Sequence, residues 1–308
     1  MSEPIKIYKA LADETRLRLL RLLARGALNV NELIEIVQMG QSRVSRHLKI
    51  LADAELVVSR REGTWIYYQN NPTGPSSVDG ALAHLATHEQ QVPCYDIDLQ
   101  GLQSVIEKRR ANTRNFFDSI SEPEALPQHQ SLDGAFYRRA ALQQLNGHSG
   151  TVLDMGTGAG LLLPALLNKA ERVIAVDSST TMLDMARQTA GTESARIDFR
   201  LGDLEHLPVA DAEVDAVIAC MVLHHLSRPQ LAIAEACRAL KPGGLLVIVD
   251  LQRHTDESLR EQQADLWLGF EPSQVKTWLN ENHFTVVGTD TLGEPDALKL
   301  ITFQGKKQ

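Results

Sequence analysis

The spacing of apolar positions divides the chain into a helical head and an alternating body. Leu17, Leu19, Leu20, Leu22 and Leu23 follow Asp13, a good N-cap, and Gly26 stops the helix they predict. Asn29 caps a second helix, with Glu32 three residues on in capping-box position and Val30, Leu33, Ile34 and Val37 along one face. Met39-Gly40 turns the chain into a third helix over about 41–54, with Val44, Leu48, Leu51 and Ala52 inward. On the helical wheel Ser42, Arg46 and Lys49 fall opposite that stripe, and Arg43 and Ser45 flank it. Residues 56–61, a Glu62-Gly63 turn and residues 64–68 then read as a β-hairpin.

Turn formers crowd residues 70–77, two helical stretches are predicted near 79–90 and 99–120, and a second break falls at Ser121-Glu122-Pro123. From Thr151 the period changes. Apolar runs at 152–155, 172–176, 196–201, 214–220 and 245–250 alternate with helical segments, which predicts βαβ units and a parallel sheet. The expected organisation is a head over 1–75, a helical dimerisation, linker and cofactor-lid region over 76–130, and an α/β body over 131–308.

Composition adds exclusions. The chain has 308 residues, 43% of them apolar, enough for more than one real core. No apolar run approaches the roughly 18 residues a membrane span needs, so no membrane partner is expected. The first residues lack a secretory pattern, and Cys94, Cys220 and Cys237 form no CxxC pair. A disulfide framework or zinc ribbon is therefore not expected, and a cytoplasmic location is. The net charge of −8 argues against a protein that coats nucleic acid throughout. Residues 1–75, however, hold 11 of the 31 basic and 8 of the 39 acidic residues, a net of +3, which leaves 20 and 31, a net of −11, for the rest. A basic head on an acidic body fits DNA contact by the head alone, although a bias of that size also arises by chance.

The helix pair with Ser, Arg and Lys outward is a candidate helix-turn-helix for the major groove, with Arg60 and Arg61 as a wing. By periodicity alone, a solvated face of a helical dimerisation domain fits equally well. The runs 11–20, 41–51 and 61–68, in this order and spacing, resemble the ArsR/SmtB winged-helix repressors over about residues 5–70. The resemblance implies a homodimer on double-stranded operator DNA, with Gln41, Ser42, Arg43, Ser45, Arg46 and Lys49 on the recognition helix. Many metal-sensing members carry two cysteines where this chain has Asn29 and Asn31, and amides are poor ligands for soft metals. His84 and His88, four apart with Glu89 nearby, do not reproduce the family's other ligand spacing, so no metal is expected.

In the body, Asp154-Met155-Gly156-Thr157-Gly158-Ala159-Gly160 runs from a strand into a glycine turn spaced G-x-G-x-G. A carboxylate two residues before the first glycine suits the ammonium of a nucleoside with an amino-acid tail better than it suits a pyrophosphate. Asp177 ends the next strand, where it can accept from both ribose hydroxyls, and Asp203-Leu204 follows a third strand, within reach of an adenine amino group. This series resembles the class I S-adenosylmethionine (SAM)-dependent methyltransferases, in particular the small-molecule branch related to quinone biosynthesis, over about 150–250. It implies a Rossmann-like, seven-stranded sheet with the last strand antiparallel, completed by residues 284–288 and 298–303. It also implies a SAM or S-adenosylhomocysteine (SAH) site lined by Asp154, Gly156, Gly158, Asp177, Met182, Asp203 and Leu204, with Gly160 and Ser178 beside them and Cys220 as a core residue or pocket wall. Residues 114–118 resemble a lead-in helix that folds over the cofactor.

His224 and His225 are the candidate general bases, and read more simply as a strand-end cap. Trp267, Phe270, Trp278 and Phe284 read as packing rather than as an aromatic lid. Three scattered cysteines do not make the thiol set that arsenic methylation requires. Two readings follow. One is a DNA-binding regulator whose body senses the nucleoside or a methyl acceptor. The other is a working methyltransferase on an unknown small molecule, with the head controlling expression.

Overall fold

A computed structural model describes residues 3–62, 65–71, 76–120, 132–145, 150–294 and 297–308. Gly63 and Thr64 at the predicted hairpin turn, residues 72–75 of the first break and Ser121-Glu122-Pro123 of the second lie outside these. The chain divides into two units, Met1–Arg109 and Arg110–Gln308. Among the described residues no helix is long and apolar enough to cross a membrane.

The first unit runs α1 (Glu3–Leu11), α2 (Glu14–Leu23), β1 (Leu28–Asn29), α3 (Val30–Val37), α4 (Gln41–Asp53), β2 (Val57–Glu62), β3 (Trp65–Asn70), α5 (Ser76–Thr87) and the first part of α6 (Tyr95–Asp118). Asp13 caps α2 by accepting from Arg16 N at 3.1 Å, and Asn29 with Glu32 forms a complete capping box on α3. The strands pair antiparallel in the order β1-β3-β2. Helix α1, which the sequence pattern did not single out, buries Ile7 and Ala10 in the same core as Leu19, Leu33, Leu48 and Leu51. That core also takes Val78 and Leu85 of α5 and Leu102, Val105 and Ile106 of α6. The division into two units falls inside α6, between Arg109 and Arg110. Asp98 of α6, fully buried, is held by Arg18 at 2.6 Å and Arg21 at 2.5 Å. Glu32 accepts from Asn29 N at 2.8 Å and from Arg109 at 2.6 Å, so a capping residue also anchors a tertiary contact.

The second unit adds α7 (Gly134–Gln144), β4 (Thr151–Met155), α8 (Leu163–Leu166), β5 (Arg172–Asp177), α9 (Thr180–Ala190), β6 (Ile197–Leu201), β7 (Val214–Cys220), α10 (Pro229–Ala239), β8 (Leu240–Leu251), α11 (Ser258–Gln262), α12 (Pro272–Glu281), β9 (Phe284–Leu292) and β10 (Leu300–Lys307). They form a seven-stranded sheet in the order β6-β5-β4-β7-β8-β10-β9, as the resemblance implied. β4 pairs parallel with β5 and β7, and β10 runs antiparallel to both β8 and β9. The central strands read as unbroken apolar runs because helices cover both faces of a parallel sheet. β8 begins at Leu240, earlier than the expected 245, because Leu240 pairs with Val214 before residues 241–244 loop out and Leu245 pairs with Ala216. The last two strands extend further than the pattern predicted, to Leu292 and Lys307. Trp267, Phe270 and Phe284 are buried in packing, with Phe270 edge-on to Trp278 at 5.4 Å.

Candidate functional site

On α4 the apolar stripe Val44, Leu48 and Leu51 is fully buried, while Gln41, Ser42, Arg43, Ser45, Arg46 and Lys49 are all exposed. The helix therefore presents three cations and three polar side chains to solvent. Arg60 is half-buried and Arg61 exposed on β2, opposite Tyr67 and Ile66 of β3. His47, the polar residue next to that face, sits 3.6 Å from Asp13, and burial lowers its pKa. The rings of His84 on α5 and His88 just after it lie tilted with centroids 4.5 Å apart, His88 Nδ1 lies 3.0 Å from the His84 carbonyl, and Glu89 is paired with Arg25.

In the second unit the carboxyl ends of β4, β5 and β7 open onto a cavity of about 330 Å³. The order of the sheet reverses at β4, the place where parallel α/β sheets leave a crevice. Eight of the sequence-predicted residues line it: Asp154, Gly156, Gly158, Asp177, Ser178, Met182, Leu204 and Cys220. Two do not. Gly160, at φ +76, brings the chain so close to α9 that a Cβ there would lie 2.8 Å from Ala186 Cα. Asp203 instead pairs with Arg110 at 2.9 Å and accepts from Glu205 N. Gly158, at φ +52, is different: a Cβ built on it meets nothing within 4 Å, so its backbone faces open space.

The two carboxylates of the cavity are placed differently. Asp154 is buried and bonded to Thr157 Oγ1 at 2.7 Å, and burial pushes its carboxyl up to about 6. Asp177 accepts from Gly158 N at 2.9 Å and Ser179 N at 3.0 Å, which fixes both oxygens. Burial raises its pKa as well. A carboxylate has about four acceptor sites, so two backbone donors leave it room for ligand hydroxyls. The end of α6 closes one wall. Thr113 and Phe117 line the cavity, Phe116 and Phe117 pack on Met182 and Met185, and Asp118 accepts from Ser179 Oγ.

The far wall, after β7, holds His224 and His225. His224 is buried, donates from Nδ1 to Asp250 at 2.6 Å, and has Nε2 3.6 Å from Asp265. The two carboxylates outweigh burial and raise His224 to about 9, while burial raises Asp265 to about 6. Both ring nitrogens of His224 thus face carboxylates, which leaves no geometry for taking a proton from an acceptor. Its carbonyl also accepts from Leu266 N and Trp267 N, tying the strand end to the following loop. His225 lines the cavity edge-on to Phe117, with ring centroids 5.0 Å apart. The thiol of Cys220 is pushed well above its usual range by burial.

Sequence reasoning missed Tyr137 and Arg138. They lie on α7, outside the glycine-turn motifs, and line the cavity with the guanidinium 5.6 Å from the Tyr137 ring centroid. The periodicity of a short helix gave no sign of them.

Known proteins match the two units separately. The bacterial regulatory protein family of arsR type matches residues 13–59, and the methyltransferase domain family matches residues 153–248. The arsenic resistance transcriptional regulator ArsR1 of Pseudomonas putida is 39% identical over 92 residues, which cover 30% of this chain and 71% of that protein. A 37.1 kDa protein in transposon TN4556 of Streptomyces fradiae is 32% identical over 193 residues. That match covers 57% of this chain and 56% of the relative, so the chain spans a little over half its length. Geranyl diphosphate C-methyltransferase from Streptomyces coelicolor shares the fold of the body, with a TM-score of 0.54 at 12% identity over 65% of this chain and 98% of that one.

Proposed function

We propose, since the chain belongs to the arsR family of bacterial regulatory proteins and carries a methyltransferase domain behind that head, that it is a transcriptional regulator whose body binds SAM or SAH. Occupancy of the body would then set its affinity for double-stranded operator DNA. The observation that carries this reading is the cavity, where the buried Asp154 and the half-buried Asp177 flank a turn that puts no side chain into the open space at Gly158.

The residues fit such a nucleoside. Asp154 would pair with its ammonium, Asp177 would accept from the ribose hydroxyls, and Met182 and Leu204 would hold the adenine between apolar side chains. Arg138 supplies the cation for a carboxylate. Gly156 and Ser178 bring backbone close to the ligand, and Cys220 forms part of the wall. When bound, SAM supplies an electrophilic methyl group on a sulfonium, and SAH a neutral sulfur. In the head, Gln41, Ser42, Arg43, Ser45 and Arg46 would meet base edges and phosphates, with Lys49, Arg60 and Arg61 on the backbone. The protein would act in the cytoplasm as a homodimer, matching the two-fold symmetry of an operator.

A ligand shifts a two-state equilibrium only by its differential affinity for the states. The test is binding to the DNA upstream of this protein's own gene, titrated with SAM and with SAH. A change of about 5-fold or more, on the order of 1 kcal/mol of coupling, supports the sensor reading. Operator affinity unchanged at saturating SAM and SAH sinks it.

A second reading, a methyltransferase acting on its own small molecule, draws on the lining beyond β7. Tyr137, Arg138, His225 and Gln263 leave a polar wall for an acceptor. Holding donor and acceptor in line can supply up to about 7–11 kcal/mol, and a base is needed only where the acceptor loses a proton. Of the two histidines, His225 lines the cavity edge-on to Phe117, whereas His224 is bonded to Asp250 at 2.6 Å. Labelled SAM incubated with cell extract, yielding no methylated product, would count against this reading.

A further inference from the structure

We propose that His224, His225 and Asp265 form a binding site for a divalent transition-metal ion at the β7 end of the cavity. This goes beyond the expectation of a metal-free protein and does not rest on the nucleoside reading.

Three observations converge. The first is the donor set. His224 Nε2 and His225 Nδ1 stand 3.6 and 3.7 Å from Asp265 Oδ1, and one ligand atom from each residue lies within 4.8 Å of the others. Two imidazoles and a carboxylate around one point suit zinc, iron or cobalt in the divalent state, whereas magnesium and calcium favour all-oxygen sites. Bonds of about 2.0–2.2 Å in tetrahedral geometry put ligand atoms about 3.3–3.6 Å apart, close to the two separations from Asp265.

The second observation is the state of Asp265. Its side chain is fully buried, yet among the described residues neither carboxylate oxygen has a hydrogen-bond partner. A buried carboxylate so placed is costly and calls for a cation closer than an imidazole 3.6 Å away. Ala264, the residue before it, holds a left-handed φ of +58, and its carbonyl lies 3.3 Å from His225 Nδ1, a contact that an ion bound at that nitrogen would replace. Backbone strain of that kind collects at functional sites.

The third is the support around the ligands. Asp250 accepts from His224 Nδ1 at 2.6 Å, the arrangement that turns the opposite ring nitrogen of a metal-binding histidine toward its ion. Asp250 also accepts from Leu223 N and Leu251 N, so it is itself fixed. The loop carrying Asp265 is pinned by Leu266 N and Trp267 N on the His224 carbonyl and by Trp267 Nε1 on the Leu226 carbonyl at 2.7 Å. His224 and His225 also line the cavity. An ion there would take an oxygen of a bound small molecule as a further ligand.

The test uses the full chain, freed of metal with a chelator and titrated with cobalt(II), whose visible absorption reports coordination. The expected result is one equivalent bound, with bands that zinc(II) displaces. Asp265→Asn, close in shape, should abolish the bands while circular dichroism shows an unchanged fold, and His225→Gln should do the same. Asp250→Asn, which keeps the ligands but removes the orienting partner, should weaken binding by about 10–100-fold. The pair change His84→Ala with His88→Ala should have no effect. No cobalt binding, binding unchanged in Asp265→Asn and His225→Gln, or binding lost through His84 and His88 overturns the proposal.

Discussion

Ser179 Oγ donates to the Asp118 carboxylate at 2.5 Å, joining the last residue of α6 to the N-cap of α9. The same Oγ accepts from Met182 N, and Ser179 N donates to Asp177. Ser179 therefore couples the wall formed by Phe117, through its hydroxyl, to the carboxylate assigned to the ribose, through its backbone N–H. Ser179→Ala removes both hydroxyl hydrogen bonds and should lower SAH affinity by about 5-fold, on the order of 1 kcal/mol, the part of that loss felt at the site. Calorimetric titration of SAH measures this, and an unchanged affinity would separate the α6 wall from binding.

Asp154 gives the site a pH dependence. Burial raises its folded carboxyl to about 6, above the unfolded value, so this group favours the apo fold most at low pH and that contribution is lost as pH rises through about 6. A bound ammonium reverses the preference by stabilising the charged form. SAH should therefore bind more weakly as pH falls below about 6, with proton release on binding in that range. Asp154→Asn should bind weakly at every pH and flatten the profile. Isothermal titration from pH 5 to 8 in buffers of differing ionisation enthalpy checks both points.

Two glycines of one turn should fail in different ways. Gly158→Ala places a methyl in open space at a positive φ, at a backbone cost of about 1 kcal/mol, and should abolish SAH binding while the protein stays folded. Gly160→Ala drives a methyl to 2.8 Å from Ala186 Cα and should destabilise by about 1–3 kcal/mol. Thermal melts with and without SAH tell the two apart. The reverse pattern would move the ligand away from Gly158.

In the head, Asp98 is the buried partner of two arginines. Asp98→Ala leaves Arg18 and Arg21 without it and should cost about 3–5 kcal/mol, read by denaturant unfolding. A loss below about 1 kcal/mol would mean that water or the carbonyls of Glu89, Val92 and Pro93 already satisfy Arg21.

On the exposed face of α4, Arg46→Ala should weaken DNA binding and reduce the slope of log affinity against log salt by about 1 if it contacts a phosphate. A specificity change at one base pair with the slope unchanged would assign it to a base edge instead. Binding that is insensitive to both Arg43→Ala and Arg46→Ala would remove α4 from the interface.

The sequence by itself determined whatever is local in origin. Asp13 and Asn29 cap helices because their side chains reach backbone donors three residues on, and the stripe of Val44, Leu48 and Leu51 fixes which side of α4 faces solvent. The apolar runs of β4, β5 and β7 and the glycine turn declared the parallel sheet and its crevice, because a doubly covered strand must be apolar throughout. What only the tertiary structure decided are relations between residues distant along the chain. Gly160 and Asp203 stand inside the legible motif, yet one is filled by α9 and the other by Arg110. Tyr137 and Arg138 carry no motif, yet the folding of α7 sets them on the cavity. Asp98 reads as an ordinary acidic residue at a helix start until α2 brings two arginines to it across about eighty residues. The cluster of His224, Asp250 and Asp265 is of the same kind, because β8 and the loop after it must close on the end of β7 before three scattered side chains share one point. Hydrogen-bonding reach and helical period act over a few residues and can be read along the chain. Which side chains meet across a core depends on how the elements pack.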